Sequence, residues 1–66
     1  MDLEEIYRKA DNTEIKGTTV NERLYLSGLM DVYDNAIKTN KLKAREIFKA
    51  LKVDEYSINK IIGNEI

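Results

Sequence analysis

Sixty-six residues allow a single domain with a small core, and 42% apolar with 35% charged residues and no Pro is the composition of a folded chain. With neither Cys nor His, the chain has no disulfide, no thiol or imidazole for catalysis and no ordinary zinc ligand set. The formal net charge is −1, but residues 1–35 carry four basic and eight acidic side chains and residues 36–66 carry seven basic and four acidic; this asymmetry suits two halves that fold against each other, a head-to-tail assembly or a basic partner-binding face.

The first predicted helix covers about residues 2–10. Leu3, Ile6, Tyr7 and Ala10 follow the i, i+3, i+4, i+7 spacing of one helix face. Asp2 is a suitable N-cap, and Glu4–Arg8 and Glu5–Lys9 are i, i+4 pairs in the favourable order. A helix this short is marginal alone, so its apolar face must dock on its own chain or on a partner. Asp11 to Thr18 reads as a connector with a turn at Gly17, tacked to the core by Ile15.

Thr19 and Glu22 fit a capping box. It opens a predicted long central helix over about residues 20–38, with Leu26, Leu29, Met30, Tyr33, Ala36 and Ile37 as its main stripe and Leu24, Tyr25 and Val32 widening it. Gly28 in its middle is expected to allow close approach of another helix backbone, since Gly costs about 1 kcal/mol there relative to Ala. Thr39–Asn40 breaks the pattern and caps a third helix over about 41–52, with Ala44, Ile47, Phe48 and Leu51 inward. Asp54 caps a fourth over about 55–62, with Ile58, Ile61 and Ile62 inward, and Gly63 stands at its end. Asn64 to Ile66 are expected to fray. The fold predicted is all-α, one domain over 1–66, a three- to four-helix bundle.

Asn21-Glu22-Arg23-Leu24-Tyr25-Leu26-Ser27-Gly28-Leu29-Met30-Asp31-Val32-Tyr33-Asp34-Asn35-Ala36 resembles a segment, N-E-R-L-x-x-S-G-L-x-D-x-x-D-x-A, of short uncharacterised bacterial proteins. The quoted stretch is 16 of the 66 residues. The resemblance implies a bacterial, helical, cytoplasmic protein and carries no chemistry with it.

The residues point to binding rather than to an enzyme. Asp31 and Asp34 lie three apart, half of a cation site in principle, but no converging ligands accompany them, and a solvated face with Asp34 paired to Lys38 is the simpler reading. No cofactor or metal is called for. Lys41, Arg45, Lys49 and Lys52 fall on one face of the third helix, against the preferences of like charges and of the helix dipole. They are the candidate patch for an anionic partner, or else they face acids from residues 1–35. The match of 41–62 to a helix-turn-helix is poor, because the turn at 52–54 lacks Gly and the last helix is nearly free of bases.

Of the four tyrosines, Tyr7, Tyr33 and Tyr56 sit at core-rim positions. Tyr25, beside the stripe, is the expected exposed anchor, and with Gly28 and Met30 it forms the candidate partner interface. The function expected is a small protein–protein interaction module, self-associating or acting as a regulator or inhibitor docked on a larger protein, as small phage proteins do. The alternative is a nucleic-acid-associated accessory protein using the basic face. No run of apolar residues suits a membrane span or a signal-peptide core, which points to the cytoplasm.

Overall fold

Asp2 accepts a hydrogen bond from the Glu5 amide at 2.9 Å, and this cap starts α1, Leu3–Asp11. In the computed structural model, which describes residues 2–63, four further helices follow: α2 Val20–Ser27, α3 Met30–Thr39, α4 Lys41–Ala50 and α5 Glu55–Ile62. No strand occurs among the described residues. The expectation for Asn64–Ile66 falls outside them.

The predicted central helix is two helices. α2 opens with the capping box, in which the Glu22 amide donates to Thr19 Oγ1 at 3.2 Å and the Thr19 amide donates to Glu22 Oε1 at 2.8 Å. It closes at Gly28, whose φ of 78° is left-handed. The Gly28 amide donates to the Tyr25 carbonyl and the Leu29 amide to the Leu24 carbonyl, the paired bonds of a Schellman ending. A Cβ at Gly28 would meet nothing within 4 Å. Gly28 therefore serves a chain reversal and not the close helix approach expected of it.

The hub is α4, which packs against α1, α3 and α5. Ala44, Ile47, Phe48 and Ala50 of α4 are buried, as are Leu51 and Val53 beyond it. Tyr33 of α3 stacks on Phe48, ring centroids 4.7 Å apart. α1 docks on its own chain: Ile6 and Ala10 are buried, and the Tyr7 hydroxyl donates to Glu46 Oε1 of α4 at 3.0 Å. α4 stops two residues before its predicted end. Lys52 has a φ of 66°, and the Val53 amide donates to the Phe48 carbonyl, so a lysine holds the left-handed position that Gly28 holds in α2. Asp54 then caps α5, accepting from the Ser57 amide at 3.1 Å and the Ser57 hydroxyl at 2.8 Å.

The surface area of 4545 Å² is close to the roughly 4300 Å² of a compact monomer of this mass. The radius of gyration is 10.8 Å, again that of a compact chain of this length. Tidy packing of short, well-capped helices is thus present within one chain. No helix among the described residues is long and apolar enough to cross a membrane.

Candidate protein-docking surface

The reversal at Gly28 sets the last turn of α2 beside the first turn of α3. Tyr25 and Leu26 from α2 and Met30 from α3 share one groove of about 410 Å³, completed by Asn21 and Glu22. Tyr25 is 75% exposed and Leu26 56%. Met30 is half-buried, packed partly on the core. Two of the three residues expected at an interface, Tyr25 and Met30, therefore line a common surface. Gly28 does not line it; its backbone conformation creates it.

Leu26 was expected in the core stripe. It faces outward because the stripe does not continue through Gly28: within α2 the buried positions are Leu24 and Ser27. Leu24 and Leu29 on the two sides of the reversal are both buried.

One charged side chain lines this surface, and it is acidic. Glu22 lines the groove, and Asp34 stands one helical turn beyond Met30 on the same side of α3. Burial and, to a lesser extent, the Asp34 carboxylate push the pKa of the Tyr33 hydroxyl above its ordinary value. Arg23 is the one base between residues 20 and 37, and it is turned into the fold. Its Nη1 donates to the Leu51 and Lys52 carbonyls at 3.2 and 3.4 Å, and its Nε donates to Thr18 Oγ1 at 3.2 Å.

The basic face of α4 is laced to its neighbours. Arg45 Nη2 donates to Asn59 Oδ1 at 2.6 Å and to Glu55 Oε1 at 3.2 Å. Lys49 Nζ lies 3.8 Å from both Glu46 and Glu55. The acids that meet Arg45 and Lys49 thus come from α4 and α5, not from residues 1–35 as the charge asymmetry suggested. Lys41 is exposed in the first turn of α4, and Lys52 is exposed at its left-handed end.

Five large apolar side chains outside the groove also meet solvent among the described residues, Leu3 and Tyr7 of α1 among them although both were expected on its inward face. Tyr56, expected at the core rim, is 70% exposed with Lys60 Nζ 5.2 Å from its ring centroid. Ile61, expected inward, is 48% exposed. Leu42 is 76% exposed and shares a groove of about 370 Å³ with Leu3, Asp2, Lys43 and Glu46; its isolation between Lys41 and Lys43 gave the sequence reading no apolar pattern to find. Among the described residues no group of three or more His, Cys, Asp or Glu converges as a metal site. Asp31 lines a separate polar groove between α3 and α4 with Asn35, Thr39 and Lys43.

Comparison with protein-family models, with curated proteins and with solved structures finds no match for this chain.

Proposed function

We propose that this chain is a small protein-docking module, a regulator or inhibitor that binds a larger protein through the α2–α3 surface. The observation that carries the reading is the juxtaposition of Tyr25, Leu26 and Met30 in one open groove. Exposed apolar side chains scattered singly are ordinary, but contiguous ones rimmed by polar groups mark interaction sites. A tyrosine at the centre of such a patch supplies large contact area at low entropic cost and is enriched among residues that dominate binding.

Docking on another protein is favoured over a twofold homodimer through this surface. A twofold places the same patch on itself, so Glu22, the one charged side chain lining the groove, would gain no opposite charge from the groove of a second copy. The basic face of α4 supports a nucleic-acid reading less well, since Arg45 and Lys49 already meet Glu55 and affinity for phosphates depends on charge available to them.

Retrieval of tagged protein from its source cells tests the proposal. A stoichiometric partner retained by the wild type and by Tyr56→Ala, but lost with Tyr25→Ala and Leu26→Ser, is the expected result. A partner retained equally by all four contradicts it.

A further inference from the structure

We infer that this chain pairs with a second copy of itself through the face where α1 meets α4, a twofold contact with Leu3 and Leu42 at its centre and Lys43 of each copy set against Asp2 of the other. The face shares no lining residue with the α2–α3 groove, and the inference does not depend on the docking role proposed above. Three of the large apolar side chains that meet solvent belong to it: Leu3, Tyr7 and Leu42. Both helices begin here. Leu3 and Leu42 line one groove with Asp2, Lys43 and Glu46, and one turn further along α1 the Tyr7 hydroxyl meets Glu46.

Charge names the occupant. A twofold sets a patch against itself, so charge favours the contact only where the patch carries both signs. The α2–α3 groove carries one sign, and this groove carries both. Its charges do not cancel within the chain. Glu46 is taken by the Tyr7 hydroxyl and by Lys49 Nζ at 3.8 Å. Lys43 has no carboxylate within ion-pair distance among the described residues, although it stands in the first turn of α4, where the helix dipole disfavours a cation. Asp2 uses only Oδ1 to cap α1, which leaves Oδ2 to accept from outside. A second copy turned about the leucines supplies each Lys43 with an Asp2, twice per dimer, while its own leucines cover those of the first. A partner of uniform charge would satisfy one sign here and oppose the other.

Sedimentation equilibrium of the full chain, from about 10 μM to about 1 mM, reads the assembly. A monomer–dimer equilibrium with a Kd on the order of 100 μM is expected of so small a face. Leu42→Ser and Lys43→Glu should each raise that Kd at least about fivefold with the helical circular dichroism unchanged. Asp2→Asn, which still caps α1, separates a facing pair from a general effect of charge. It should raise the Kd about threefold in the wild-type background and lower it in the Lys43→Glu background, where it removes a repulsion. A chain that stays monomeric at about 1 mM would overturn the inference. So would a dimer indifferent to Leu42→Ser, or one on which Asp2→Asn acts with the same sign in both backgrounds or not at all. A dimer lost in Tyr25→Ala but kept in Leu42→Ser would place self-association in the α2–α3 groove, overturning this inference and, separately, the preference for a different protein there.

Discussion

Arg23 holds the end of α4 from across the fold: its guanidinium donates to the Leu51 carbonyl at 3.2 Å, twenty-eight residues away in sequence. The contact places a cation at the negative end of the hub helix and satisfies carbonyls that have no partner within it. Arg23→Gln is expected to lower the unfolding free energy by about 1–2 kcal/mol. In a domain of this size that is a fall in Tm of about 4–15 °C, measurable by thermal melting followed by circular dichroism.

The two left-handed helix ends give predictions of opposite sign. Gly28→Ala places a Cβ at a φ of 78° with no neighbour to clash with, so its cost of about 1–2 kcal/mol is conformational alone. Lys52 already bears such a cost at a φ of 66°, and Lys52→Gly should stabilise the domain by about 0.5–1 kcal/mol. Urea unfolding of the two variants reads both signs.

Asp54 predicts a pH dependence. Its hydrogen bonds from the Ser57 hydroxyl and then the Ser57 amide favour the charged carboxylate and pull its pKa below the ordinary value. A carboxylate with a depressed folded-state pKa contributes stability above its unfolded-state pKa and loses it as pH falls through the folded-state value. The stability gap between wild type and Asp54→Ala should therefore be full at neutral pH and close in strong acid, with urea midpoints at several pH values as the readout.

The docking surface should be separable from the fold. Tyr25 and Leu26 are largely exposed, so Tyr25→Ala and Leu26→Ser should change stability by no more than about 0.5 kcal/mol. Phe48→Ala, which empties a fully buried site against Tyr33, should cost about 3–5 kcal/mol and unfold much of the population. Denaturation of these variants shows whether lost binding can be assigned to the surface itself.

What was legible in the sequence was local chemistry. The Asp2, Thr19, Asn40 and Asp54 caps each act within three residues, and all four are formed. The break at Gly28 was hidden because Leu26, Leu29, Met30 and Tyr33 happen to keep helical spacing across it, so one continuous stripe and two helices joined by a reversal read alike. That coincidence misplaced Leu26 and obscured α4 as the hub. The left-handed Lys52 carries no turn signal, since Gly or Asn is the usual marker. Of the apolar side chains lining the groove, the sequence singled out Tyr25 and Met30, while Leu26 was assigned to the core stripe. The pairing of Arg45 with Glu55 was not, because it joins different helices and i, i+4 reasoning reaches only one turn.

Site-specific photo-cross-linking tests the central claim most directly. A photoreactive phenylalanine analogue is placed at position 25 or at position 56, two exposed tyrosine sites on different helices, and the protein is irradiated in its source cells. The account predicts a discrete cross-linked protein from position 25 and none from position 56. Equal cross-linking from both positions, or from position 56 alone, would contradict the assignment of the α2–α3 groove as the docking surface.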